Sequence, residues 1–135
     1  MVTGHKNIIS NLKKLAEKRD LAHGYVFFGS SMVGKRLVAR CFANYLESGE
    51  FAEPRFLRDA AEITPEDGSI GIDAARALKR LLWQKPIVSP YRLAIVDSAE
   101  LLTQEAQNAL LKISEEPPPS AVLVLITSDA DALLP

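Results

Sequence analysis

Apolar positions along the chain fall into two alternating kinds of run. The first kind recurs every three to four residues. "KNIISNLKKLAEKRD" carries Ile8, Ile9, Leu12, Leu15 and Ala16 at that spacing, with lysines, Glu17 and Arg19 on the other side. This predicts an amphipathic helix over residues 6–19. Leu37, Val38, Cys41, Phe42, Tyr45 and Leu46 repeat the pattern over residues 35–47, with Gly49 as the stop. Ala74, Leu78, Leu81 and Leu82 mark a third helix, capped by Asp73 and ended before Pro86. Ala106, Ala109, Leu110 and Ile113 mark a fourth, capped by Thr103 and stopped by "EEPPP", where proline lacks the donor that a helix needs.

The second kind of run is short and continuous: "YVFFG" at 25–29, a brief stretch near 60–64, "RLAIVD" at 92–97 and "AVLVLIT" at 121–127. Apolar runs without polar alternation predict strands buried on both faces, as in a parallel sheet. The order α-β-α-β-α-β-α-β then predicts an α/β domain with a mostly parallel sheet and helices on both sides. "TPEDGS" reads as a turn, residues 48–59 carry the least pattern, and no internal repeat is present.

Composition narrows the function classes. A chain of 135 residues holds one domain with a real core. A net charge of −1 excludes an overall basic field aimed at nucleic acid, though not a local patch. The single cysteine, Cys41, excludes an internal disulfide and cannot by itself make a zinc site, so a reducing compartment is expected. The N-terminal "MVTGHKNIIS" lacks the apolar core of a signal peptide, and no apolar run is long enough to span a membrane. The expectation is a cytoplasmic protein.

The candidate chemistry lies where the first strand meets the second helix. "GSSMVGKR" fits the phosphate-loop pattern at Gly29, Gly34 and Lys35 and departs from it at Arg36, where a serine or threonine is expected. Its glycines let backbone N–H groups, Ser30 among them, curl around a phosphate, and the helix N-terminus adds partial positive charge. The missing hydroxyl is a magnesium ligand in this motif. Arginine has five donors and no acceptor, so it cannot ligate a cation. It could pair with a phosphate in the metal's stead or point outward. "LAIVD" supplies the strand-end Asp97 that such sites use for the metal shell, but Ser98 follows where many hydrolysing relatives carry a water-polarising glutamate. Glu100 comes three residues after Asp97 and is expected to face elsewhere. Thr127 or Ser128, at the polar end of the last strand, could sense a terminal phosphate.

"SAELLTQEAQNALLKISEEPPPSAVLVLITSDADALLP" resembles the AAA+ module of bacterial DNA polymerase III clamp-loader subunits, most of all the delta-prime kind, with gamma/tau as the near relative. "NALLKISEEPP" at 108–118 is its most specific piece. "GHKNIISNLKKLAEKRDLAHGYVFFG" and "GSIGIDAARALKRLLWQKP" extend the likeness over nearly the whole chain. The resemblance implies a P-loop AAA+ three-layer sandwich over residues 1–135 with sheet order 5-1-4-3-2.

It also implies a place in a hetero-pentameric ring that loads a sliding clamp onto primed DNA. Arg36 and Ser98 match the degenerate loop and acid positions of delta-prime, so the resemblance favours a non-hydrolysing subunit over the ATP-hydrolysing gamma/tau kind. ATP or ADP held without turnover stays open. The family's zinc module, arginine-finger motif, fifth strand, lid and collar have no counterpart in these residues, which read as a fragment of a longer product. An exposed apolar edge at Tyr25–Phe28 and poor solubility of the piece are expected to follow.

The remaining chemistry-bearing residues have plainer readings. His23 is read as a surface or loop-packing residue rather than an adenine contact, Trp83 as core packing rather than base stacking, Lys79 and Arg80 as a solvated helix face with a DNA-backbone contact in an assembled ring left open, and Cys41 as an inert core thiol. Glu115 and Glu116 are read as a helix end rather than a carboxylate pair.

Overall fold

In a computed structural model of the chain, the residues described are 13–14, 24–28 and 32–127. Lys13 and Lys14 are helical, and the rest of the helix expected over 6–19 lies outside the described residues, as do His23, Gly29, Ser30 and Ser128. The elements run in the expected alternation: β1 (Gly24–Phe28), α1 (Met32–Ser48), β2 (Ala60–Ile63), α2 (Ile72–Trp83), β3 (Arg92–Val96), a 3₁₀ turn (Ala99–Leu101), α3 (Gln104–Glu115) and β4 (Ala121–Thr127).

Boundaries follow local chemistry. α1 begins three residues ahead of its expected start, inside the phosphate-loop motif. First-turn N–H groups have no intrahelical partners, so a glycine there interrupts nothing. Gly49 closes α1 at φ 82°, its N–H donating to the Tyr45 carbonyl at 2.8 Å. This is the left-handed cap that glycine adopts without a Cβ clash. In "PEDGS", Asp67 and Gly68 both have positive φ between the paired Glu66 and Ser69, a tight Asp-Gly turn. α2 is capped not by Asp73 but by Gly71, without a side-chain bond; Asp73 instead lies in the first turn, where its charge opposes the helix dipole favourably. Thr103 caps α3 as expected, its Oγ1 accepting from the Ala106 N–H at 3.1 Å.

The four strands are parallel in the order β1-β4-β3-β2. β3 and β4 are central, which is why their residues are buried on both faces. The pleat divides them by alternation. Leu93, Ile95, Val122, Val124 and Ile126 join Ala39, Phe42 and Ala43 of α1 in one core. Ala94, Val96, Ala121 and Leu123 join Ala75, Leu78 and Leu82 of α2 and Ala106, Leu110 and Ile113 of α3 in the other. Helix α1 thus covers one face while α2 and α3 cover the opposite one, giving three layers. Full burial of a side chain such as Phe42 or Ile95 contributes about 1.5–3 kcal/mol, so these two cores dominate the stability. Cys41, buried in α1, keeps its thiol neutral because burial raises its pKa.

Trp83 departs from its expected core role. It is the last residue of α2 and is 58% exposed, because helical phase sets it on the side of the exposed Arg76 and Arg80, away from the buried Ala75, Leu78 and Leu82.

Candidate functional site

Parallel strands direct their carboxyl ends to one pole, the side where open α/β sheets receive ligands. β1 pairs with β4 through Phe28 and Thr127, and β4 pairs with β3 through Leu125 and Val96. The chain entering the phosphate loop, the Thr127 strand end and Asp97 therefore share that pole. Gly34 and Lys35 lie in the first turn of α1, and Lys35 is 8% exposed. A helix N-terminus carries partial positive charge.

Arg36 takes neither orientation considered from sequence. Its Nε donates to Glu62 Oε2 at 2.5 Å and a terminal nitrogen donates to Oε1 at 3.2 Å, a two-pronged pair with a carboxylate on β2. The same Nε lies 4.0 Å from Asp97 Oδ2. The geometry follows from the pleat. Glu62 is in register with Ile95, whose side chain packs under α1, and Asp97 is two residues beyond Ile95 on the same face. Both acids thus face the helix carrying Arg36. Its hydrogen bond to Glu62, joined by the negative charge of both acids, outweighs partial burial and raises the guanidinium pKa. One turn on, Arg40 lies 3.8 Å from Glu62 and pairs with Glu53 at 3.3 Å. Glu62 was not singled out from sequence; the available signal was an acid inside the otherwise apolar "AAEI".

Glu100 also differs from expectation. Ser98 adopts the left-handed region, φ 59° and ψ 51°, which is uncommon for a residue with a Cβ. The chain then folds back through the 3₁₀ turn, with Leu101 N bonded to Ser98 O at 2.9 Å. That reversal carries Glu100 to the end of β4, where its Oε1 accepts from the buried Thr127 hydroxyl at 2.8 Å. Thr127, a candidate phosphate sensor, has its hydroxyl proton committed to this carboxylate.

The phosphate-loop motif implies magnesium, and the described residues do not fit it. Where the motif needs a hydroxyl acceptor, Arg36 offers only donors, and it sits against the strand-end acid that would hold the metal shell. Among the described residues, no group of three or more His, Cys, Asp or Glu is placed to hold a metal ion.

The opposite pole carries a second, unforeseen cluster. Asp59 is 1% exposed, and its carboxylate accepts from the N–H groups of Ile87, Val88 and Ser89 at 2.6, 2.7 and 2.6 Å. Arg92, at the start of β3, approaches it at 3.5 Å and donates to the carbonyls of Arg58 and Lys85. Glu47 of α1 accepts from the N–H groups of Arg58 and Asp59. Burial alone would raise the Asp59 pKa, but the three N–H donors and Arg92 outweigh it and hold the carboxyl below its ordinary value. This knot turns Ile87 and Val88 outward beside an open pocket lined with Pro90, Tyr91 and Pro119.

The DNA polymerase III, delta subunit family matches residues 4–135. DNA polymerase III subunit gamma/tau of Mycobacterium tuberculosis (strain CDC 1551 / Oshkosh) is 31% identical over 149 residues, a match covering 99% of this chain and 26% of that protein. The replication factor C small subunit of Methanococcus vannielii is 37% identical over 117 residues, covering 85% of this chain and 35% of the relative. A solved DNA polymerase III gamma subunit-related protein from Thermotoga maritima superimposes with a TM-score of 0.75 at 35% identity, covering 92% of this chain and 41% of that one. The chain thus spans well under half the length of these relatives. Its phosphate-loop pole, its four-strand order and its match from residue 4 to residue 135 place the chain in the DNA polymerase III delta-subunit family, within the AAA+ clamp-loader group.

Proposed function

We propose that these residues form the AAA+ domain of a clamp-loader subunit of the delta-prime kind. It serves as a non-hydrolysing scaffold in a hetero-pentameric ring that loads a sliding clamp onto primed DNA. The observation carrying this reading is the pairing of Arg36 with Glu62 beside Asp97, at the position where a hydrolysing site presents a metal-binding hydroxyl. Ser98, a poor base, after Asp97 supports it. Gly29, Ser30, Gly34, Lys35 and Ser128 remain the residues on which a phosphate would rest, so ATP or ADP held without turnover is compatible with the reading.

A second reading, an ATP-hydrolysing gamma/tau-type subunit, draws support from two observations. Relatives from Mycobacterium tuberculosis and Haemophilus influenzae carry that name, and Glu100 is turned to the β4 end of the site rather than away from it.

ATP binding and hydrolysis by the full gene product, with and without magnesium, separates the two. The delta-prime reading expects no turnover above background and no change in Lys35→Ala. Magnesium-dependent turnover abolished by Lys35→Ala establishes the gamma/tau reading instead.

A further inference from the structure

We propose that the Arg36 guanidinium, held between Glu62 and Asp97, is a built-in cation that excludes a divalent metal from the phosphate-loop pole. The inference rests on the reading of this site as a phosphate loop without turnover and names what occupies the metal's place.

Three observations carry it. Both oxygens of Glu62 accept from Arg36, so the nearest extra carboxylate is already engaged. Asp97, the remaining acid on this face, has the guanidinium 4.0 Å from its Oδ2. Any divalent ion bound through Asp97 would sit within a few ångströms of that positive charge, close enough for like charges to repel even where solvent screens them in part. Arg40, 3.8 Å from Glu62, adds a second guanidinium on the same side. The pairing is fixed by the fold, because parallel register sets Glu62 and Asp97 on the face covered by α1. Arg36 is therefore a specificity-determining residue that fixes which cation this pole accepts.

The test is a titration of the full gene product with Mn²⁺ and no nucleotide, free metal being followed by electron paramagnetic resonance. Arg36→Ser is expected to take up one Mn²⁺ per chain, about tenfold or more tighter than wild type, since a neighbouring like charge has been removed. Adding Asp97→Asn to that variant is expected to abolish the uptake. Stoichiometric Mn²⁺ uptake by wild type that Asp97→Asn removes would overturn the proposal, as would a folded Arg36→Ser that takes up none.

If Arg36→Ser does not fold, wild type alone decides. The Arg36 Nε–H resonance, assigned by its loss in Arg36→Lys, is expected to hold its position and width when Mg²⁺ and then Mn²⁺ are added. A shift or selective broadening would place the metal beside the guanidinium and end the proposal. Failure here without ATP turnover sinks this inference alone; magnesium-dependent turnover sinks the non-hydrolysing reading as well.

Discussion

The molecule pairs arginine with carboxylate at both ends of one sheet, and the two assemblies differ in almost every physical respect. At the amino ends of the strands, Asp59 and Arg92 are 1% and 5% exposed, and the carboxylate takes three backbone N–H donors besides. At the carboxyl ends, the Arg36 side chain is 43% exposed and its partners are other side chains. A buried pair tied to backbone holds its loops in one conformation, and losing one partner strands the other charge. A solvated pair is screened and adds little stability, so its residues are free to serve specificity. One pole is built for rigidity; at the other, the proposal is that the pair keeps a divalent ion out.

That contrast can be broken by measurement. Asp59→Ala is expected to have the largest effect, lowering the unfolding free energy by about 3–5 kcal/mol in urea melts, because Arg92 and three N–H groups lose their acceptor. The same residue sets an acid limit. Its carboxyl titrates lower in the folded chain than in the unfolded one. Its stabilisation is therefore present above the unfolded value near ~4 and is lost as pH falls through the lower folded value. Melting temperatures of wild type are expected to drop in that acid window more steeply than those of Asp59→Asn. Equal slopes would remove Asp59 from the account.

Smaller effects belong to the other pole. Thr127→Val keeps the side-chain volume and removes the bond to Glu100, at an expected cost of about 1 kcal/mol. Arg36→Ser is expected to cost less than about 1 kcal/mol, since the pair is solvent-screened and Arg40 still faces Glu62. A thermal melt showing Arg36→Ser as damaging as Asp59→Ala would erase the distinction between the poles.

Much of the fold was legible because hydrophobic period reports burial directly. The continuous runs at 92–96 and 121–127 are strands buried on both faces, and Thr103 and Gly49 act as the punctuation their chemistry suggests. Asp73 misled because a helix can start on a backbone cap without a side-chain bond. Trp83 misled because its residue type suggested a core role, whereas its helical phase sets it beside the exposed Arg76 and Arg80 and away from the buried stripe. Gly34, Lys35, Arg36 and Asp97 were legible as members of one pole through their motif spacing, whereas Glu62 lies 26 residues from Arg36 and carries no motif.

The amino-acid sequence by itself determined the alternation of helix and strand, the parallel sheet, the phosphate-loop ancestry and the absence of a hydroxyl after Lys35. These are local, and local chemistry encodes them through period, caps and residue type. Only the tertiary structure decided where Arg36 points, that Glu100 folds back onto Thr127 through a left-handed Ser98, and that Asp59 gathers three N–H groups from a loop 28 to 30 residues away. Each depends on strand register and on the face a helix covers, and these arise only when distant segments pack together.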